Sequence, residues 1–396
     1  MRIYGIDIAS EVHVVAGVDA EGELTLKPAK VEETGTGHEK LLGLLGEAAG
    51  ALVVMEATGH YWKNVFARLS AAGFSVAVVN PLAIRRFAES HLKRAKTDAT
   101  DALLIARFGH AMKPRPAPML DEQLEELREA VRLRDRWVQD IGDRVRQLHR
   151  LVDLGFPEFT RHVRDLGSGL AATLLTRCPT AAAFRKVKPS TLAKLKYDGR
   201  HHVPEDLAAE LIAAAKHSAG MHHGDVYQVG VRATCEDILV LRSRIREADR
   251  NIATLVNASE LGGLLQTIDG IGPTTAARIL AEFGDPSTYA SADAFAAHFG
   301  VVPATNHSGK STPMRSPTTN LGDAKLRSKL WMPTLTAVAR NPWLKAFYER
   351  LIARGKPAKV ALTAAMRKLT TAIYSVAKNR KPFVPRLQAP PTETPC

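Results

Sequence analysis

Apolar positions along this chain follow two different rhythms. Through residue 116 they come in short runs. Residues 2–8 and 12–18 are rich in Ile and Val with partial alternation, as strands require. Leu24 to Val31 reads as a third, weaker strand, and "ALVVMEA" and "FSVAVVN" are continuous runs of the kind buried in the middle of a sheet. Helical spacing fills 38–48 and 60–72, and another helix begins near Asp98. Three leading strands followed by alternating helix and strand predict a mixed α/β sheet flanked by helices.

After a linker, "KPRPAP", the rhythm becomes heptad-like: Leu120, Leu124, Leu127, Val131, Arg134, Val138, Ile141, Val145, Leu148, Val152, with Arg134 the one polar interruption. That is a coiled-coil seam. A looser series runs from Val231 through Ile238, Ile245 and Ile252 to Leu255. Heptads alone leave open whether the two helices pair with each other, across a dimer, or both. The 155–228 insert between them is weakly patterned, and its paired histidines, His201–His202 and His222–His223, lack the spacing of a metal site. In "LLQTIDGIGPTTAARILAEFGD" two helical patterns flank Gly270 and Gly272, which resembles a helix-hairpin-helix; glycines there let backbone N–H groups approach a phosphate at a helix N-terminus, and an ordinary αα-hairpin is the plainer reading. The expected organisation is an α/β domain over 1–116, a helical coiled-coil arm with an insert over 117–258, a mainly α domain over 259–381, and a Pro-rich disordered tail over 382–396.

Four acids stand out within the first domain: Asp7 in "RIYGIDIAS", Glu56 in "LVVMEATGHYW", and Asp98 and Asp101 in "RAKTDATDALLIA". The pattern puts Asp7 on the first strand and Glu56 at the carboxyl end of the fourth, where open α/β sheets gather ligands. Asp98 and Asp101, three apart, share a helix face. Singly each has an ordinary role, as a structural strand residue, an ion-pair partner, or an N-cap with a first-turn acid. Together they point elsewhere. Gathered carboxylates repel unless a cation joins them, and an all-oxygen donor set favours Mg2+ or Mn2+. Two such ions about 4 Å apart serve phosphodiester chemistry.

The charge distribution then points to a polyanionic partner. Net charge is +13, yet residues 1–116 hold 14 Lys and Arg against 13 Asp and Glu, while residues 260–396 hold 18 against 8. A basic surface recruits phosphate backbones by counterion release; a merely solvated basic face is the alternative. Arg85, Arg86, Lys93, Arg94 and Lys96 form a local basic run leading into Asp98. It serves either to hold nucleic acid beside the acids or to balance their charge. Three scattered cysteines, Cys178, Cys235 and Cys396, fit no disulfide framework, and no run approaches membrane-span length. A cytoplasmic, nucleoid-associated location is therefore expected.

A last feature is a Gly/Ser/Thr/Pro-rich loop holding Ser308, with Lys310, Arg315, Lys325 and Arg327 following. A serine hydroxyl needs assistance to act as a nucleophile, and cations stabilise charge on a transferring phosphoryl group. By composition alone such serines are usually turn formers.

The stretches "GIDIAS", "MEATGHYW", "VAVVNPLAIRRFA" and "KRAKTDATDALLIARF" resemble the RuvC-like, RNase H-fold DEDD domain of one insertion-sequence transposase family, whose members are often called bridge-RNA-guided recombinases. "GVVPATNHSGKS", "LGDAKLR" and the helix-rich stretch after it are similar to the C-terminal transposase domain of the same family. The resemblance implies that Asp7, Glu56, Asp98 and Asp101 hold the metal and that Ser308 is the nucleophile, with Ser311 the fallback. It also implies double-stranded donor and target DNA as substrates, a guide RNA, and a dimeric or tetrameric homo-oligomer. One departure is visible: the family's basic "SKxG" segment is here "SPTTNLGDAKLR", which removes or moves phosphate-contacting cations. Aromatics are 6% of residues, so the sequence itself shows no RNA-stacking platform.

Two competing classes make distinct demands. A junction-resolving metal-dependent endonuclease needs the four acids but not Ser308. An actin-like ATPase or sugar kinase also opens on a strand and "GIDIA", but needs a second Gly-rich phosphate loop, which the sequence lacks.

Overall fold

The computed structural model describes residues 1–90, 98–117, 121–302 and 324–385, with the backbone alone at 98, 99 and 325. The chain divides into two compact units, Met1–Asp121 and Glu122–Cys396.

The first unit is built on one five-stranded sheet. Its elements are β1 (Arg2–Asp7), β2 (Val12–Val18), β3 (Leu24–Glu32), α1 (Gly35–Leu45), β4 (Ala51–Glu56), α2 (Trp62–Ala71), β5 (Ser75–Val79), α3 (Pro81–Ser90) and α4 (Asp98–Met112). The strand order is β3-β2-β1-β4-β5; β1 to β3 pair antiparallel, and β4 lies parallel between β1 and β5. Alternation sorts the side chains by face. Tyr4, Ile6, Val53, Met55 and Val76 pack under α1 and α2, whereas Ile3, Leu52, Val54 and Ala77 pack under α3 and α4. Both faces are covered, which is why the β4 sequence is apolar throughout rather than alternating.

The mixed sheet matches the pattern of the sequence, with one addition. Two helices, not one, follow the last strand. Asn80 starts the first of them, its Oδ1 accepting from the Leu82 N–H at 2.8 Å, with Pro81 at the first helical position. Ile84 is its one fully buried residue, and Ala83, Phe87 and Ala88 pack partly buried beside it.

The second unit is helical. Two long helices, α5 (Glu122–Gly155) and α11 (Asp225–Ala258), bracket the insert. The insert holds α6 (Phe159–His162), α7 (Gly169–Arg177), α8 (Ala181–Phe184), α9 (Pro189–Ala193), a two-residue hairpin β6 (Lys196–Tyr197) and β7 (His201–His202), and α10 (Glu205–Lys216). Beyond α11 come α12 (Glu260–Leu265), α13 (Pro273–Phe283), α14 (Ala292–His298), α15 (Ala324–Arg340), α16 (Pro342–Ala353) and α17 (Ala358–Asn379).

The two heptad series pair with each other within the chain. Arg134, the polar interruption, is satisfied across the seam by Asp249 at 2.9 Å, and Arg144 meets Asp237 at 3.0 Å. Leu148, Val152, Val231 and Ile238 join Phe156, Phe159 and Phe184 in a core that holds the insert. Leu127, Val131, Ile252 and Val256 join the core of α12 to α17. Between those cores Leu133, Val138 and Val240 are exposed. The free thiols of Cys178 and Cys235 are buried with the insert core, and burial pushes them up to about 11 and about 12. Among the described residues no helix is long and apolar enough to cross a membrane.

Candidate active site

Two of the four acids singled out in the sequence lie at the carboxyl ends of the central strands of the first unit. Ile6 of β1 pairs with Met55 of β4 in parallel register, and the next residue on each strand is an acid, Asp7 and Glu56. By alternation both belong to the face covered by α4. That helix lies close: a β-carbon at Gly5 would stand 2.2 Å from the Ala106 amide nitrogen and 2.3 Å from the Ala102 carbonyl oxygen. Farther along, a β-carbon at Gly109 would meet Val54 and Ile3 at 2.7 and 2.8 Å. The helix therefore runs against the direction of β1, and its first turns stand over the strand ends.

Asp7, Glu56 and Asp101 consequently line one cleft of about 930 Å³, together with Thr58, Asn80, Arg85 and Glu89. Asp98 opens α4 three residues before Asp101; its side chain is outside the described ones. Glu56 is half-buried and oriented, its Oε1 accepting from the Thr58 hydroxyl at 3.1 Å. The donor set is oxygen only, at the end of a helix whose dipole favours anionic side chains. Carboxylate oxygens are the donors a hard divalent cation takes, and in that respect the wall suits one, although among the described residues the trio gathered within 4.8 Å is His13, Glu33 and His38 rather than these acids.

The expected nucleic-acid contacts are distributed as follows. Arg85 lines the cleft, paired with Glu89 at 3.2 Å, and Arg86 is exposed on the same helix. Lys93, Arg94 and Lys96 lie outside the described residues, as do Ser308, Ser311, Lys310 and Arg315; Lys325 is described by its backbone in α15. Arg327 donates to the Gly300 carbonyl at 3.3 Å, so it also ties the start of α15 to the chain after α14. Gly270 has a φ of 92° and faces α15, where a β-carbon would meet the Pro333 carbonyl oxygen at 2.6 Å; its missing side chain serves helix packing. Gly272 is exposed at the N-terminus of α13, with open space about it.

One cluster had no signal in the sequence. His13 on β2, Glu33 after β3, His38 on α1 and Asn64 on α2 converge on the other face of the sheet. The Oε2 of Glu33 meets His13 Nε2 at 2.5 Å and His38 Nε2 at 3.0 Å, and its Oε1 accepts from Asn64 Nδ2 at 2.9 Å. Burial raises the Glu33 carboxyl, but these donors outweigh it and hold the group at about 2. The residues come from three elements and the loop after β3 at irregular spacing, so no linear motif marks them.

With this geometry in hand, a transposase family model of the DEDD, IS110 type matches residues 4–157, and that of the transposase IS116/IS110/IS902 family matches residues 262–349. The mini-circle putative transposase for IS117 of Streptomyces coelicolor is 30% identical over 77% of this chain and 77% of its own. The chain belongs to the IS110-type transposase family. This transposase is also 27% identical to the insertion element IS116 44.8 kDa protein of Streptomyces clavuligerus, over 98% of this chain and 96% of the relative. A pilin gene-inverting protein of Moraxella bovis is 27% identical over 85% of the transposase and 82% of its own length. The enzyme is thus a DNA transposase and recombinase of the insertion-sequence class. The first matched stretch contains all four acids and the second contains Ser308.

Proposed function

We propose that the transposase cuts and rejoins DNA through Ser308, assisted by a metal site of Asp7, Glu56, Asp98 and Asp101. The observation that carries this is the convergence of Asp7, Glu56 and Asp101 on one cleft at the strand ends. Strand order β3-β2-β1-β4-β5, with antiparallel pairing before parallel, supports an RNase H-like, RuvC-like domain. The all-oxygen set would hold Mg2+ or Mn2+, and a cation bound there supplies Lewis-acid stabilisation of phosphoryl charge.

The chain's own groups do the rest. Ser308 Oγ attacks a DNA phosphodiester; the Oγ–P bond forms, the bond from phosphorus to one deoxyribose oxygen breaks, and that oxygen takes up a proton. The phosphoserine link is resolved when a strand-end hydroxyl attacks the same phosphorus and releases the serine. Arg85, Arg86 and the cations around Ser308 hold the phosphate backbone. A helix-hairpin-helix contact at Gly272 is consistent with its exposure. Guide RNA pairing with donor and target is part of the same reading through the family, as is oligomerisation, for which the exposed Leu133, Val138 and Val240 are candidate contacts.

The test uses full-length protein, Mg2+ and labelled element-end DNA on a denaturing gel, with wild type, Ser308→Ala and Asp7→Ala compared with and without co-purified RNA. The expected result is a protease-sensitive protein–DNA adduct that needs Ser308, Asp7 and the RNA. Cleavage without an adduct, unaffected by Ser308→Ala, would instead make the cleft a plain metal nuclease of the junction-resolving kind.

A further inference from the structure

The cluster around Glu33 lies across the sheet from the acids, and nothing in the proposed reaction uses it. His13 is 1% exposed, and its ring is committed at both nitrogens. Nδ1 accepts from the Ala9 N–H at 3.3 Å, and Nε2 faces Glu33 at 2.5 Å. An imidazole that accepts at Nδ1 carries its proton on Nε2, so the ring donates to the carboxylate. The chain of contacts therefore runs from Asn64 and His38 to Glu33, then to His13, then to the Ala9 amide.

His13, Glu33 and His38 present three ligand atoms within 4.8 Å of one another, the spacing of a metal centre. The second ring nitrogen argues against that use. A metal-bound histidine ordinarily donates its other N–H to an acceptor. Here Ala9 offers a donor, so a cation on Nε2 would leave two donors facing each other or require an imidazolate. The cluster is complete as a hydrogen-bond network: one ionised carboxylate with three donors.

What the network holds is the turn after β1. Asp7 is the last β1 residue paired with β2, opposite Val14, and Ala9 follows two residues later. Beyond that pairing the strand runs into the turn, which Ala9 N–H to His13 and the Glu33 N–H to the Glu11 carbonyl at 2.8 Å tie down. Glu33 thus grips the turn twice, by its backbone and through His13. Asn64 extends the grip to α2, which follows the Glu56 loop.

We infer that His13 and Glu33 are positioning residues: acting through the Ala9 amide, they set the orientation of Asp7 in the acid cleft. The inference rests on the reading of that cleft as a metal site.

Two substitutions separate the halves of the histidine. In His13→Asn the amide oxygen keeps an acceptor near Ala9 but cannot reach Glu33. In His13→Gln the amide nitrogen keeps a donor toward Glu33 but leaves Ala9 without its acceptor. Mn2+ titration of the full-length protein by calorimetry is the readout, with Asp7→Asn defining the cleft-dependent share, thermal melts run on every variant, and zinc content measured by elemental analysis. Expected is a loss of Mn2+ affinity of about tenfold or more in His13→Gln, a distinctly smaller loss in His13→Asn, which gives up Glu33 but keeps the Ala9 acceptor, and no bound zinc. Glu33→Gln, close in shape but uncharged, is expected to weaken Mn2+ in the same direction and serves if His13→Gln does not fold.

Wild-type Mn2+ affinity in His13→Gln or Glu33→Gln, with affinity lost in Asp7→Asn, overturns the positioning role and leaves the metal reading standing. Equal losses in His13→Asn and His13→Gln overturn it too, because the Ala9 contact would not be the means. Mn2+ binding untouched by Asp7→Asn removes the metal reading and the inference with it. Zinc that depends on both His13 and His38 makes the cluster a metal centre and overturns the inference directly.

Discussion

Gly5 and Ala106 are in such close apposition that no side chain fits between them: a β-carbon on Gly5 would reach to 2.2 Å from the Ala106 amide nitrogen. This contact sets α4 against β1 and so carries Asp101 over the strand end that bears Asp7. Both neighbouring atoms, the Ala106 nitrogen and the Ala102 oxygen, are helix backbone and cannot yield as a flexible side chain would.

Gly5→Ala should therefore push α4 outward. The expected cost is about 1–3 kcal/mol, the usual range for overpacking a core, measured by urea denaturation. Mn2+ affinity at the cleft should fall as well, because Asp101 moves with the helix. A Gly5→Ala protein with unchanged stability would show that α4 is not held where this contact puts it.

Thr58 orients Glu56 by a single hydrogen bond of 3.1 Å. Thr58→Val keeps the shape and removes the donor. Stability should change by no more than about 1 kcal/mol, while Mn2+ binding should weaken measurably in calorimetry. If Mn2+ binds Thr58→Val as it binds wild type, Glu56 is oriented by other means.

The Glu33 carboxyl is held at about 2 against an ordinary value of 4.5. A depressed folded value contributes stability that is present above pH 4.5 and is lost as pH falls toward 2. The stability gap between wild type and Glu33→Gln, from urea melts across pH, should be full near neutrality and shrink through that window. A gap that stays constant down to pH 2 would assign the effect to packing rather than charge.

In the second unit Asp135 of α5 binds Arg278 of α13 and, at 3.1 Å, Lys329 of α15. Burial raises its carboxyl, but the two cations outweigh burial and hold it below the usual range. Asp135→Ala removes the acceptor that joins three helices and leaves Arg278 without it. A loss of about 2 kcal/mol is expected, read by thermal or urea unfolding. A neutral result would mean that apolar packing alone fixes α13 and α15 on α5.

Much of this molecule was legible in its one-dimensional pattern, for reasons that differ by element. β1, β2 and β4 were visible because these three strands are largely apolar and bounded by polar turns. The pairing α5 and α11 could adopt was visible as heptads, but not whether the partner lay in the same chain. Arg134 looked like a defect in the seam, and only Asp249, 115 residues away, makes it a paired group. The helix α3 went unread although Ala83, Ile84, Phe87 and Ala88 fall at helical spacing on its buried side. The packing of Gly270 against α15 is a contact that no local spacing announces.

By itself the sequence determined the mixed sheet, the helical remainder, the basic C-terminal third and the positions of the four candidate acids along the chain. Each of these follows from residue type and local spacing, which the chain carries wherever it folds. Tertiary structure alone decided that Asp7, Glu56 and Asp101 share a cleft, since that depends on strand register and on the room Gly5 leaves for α4. It alone assembled His13, Glu33, His38 and Asn64, because a hydrogen-bond network drawn from three elements and a loop is a property of their packing and has no period along the chain.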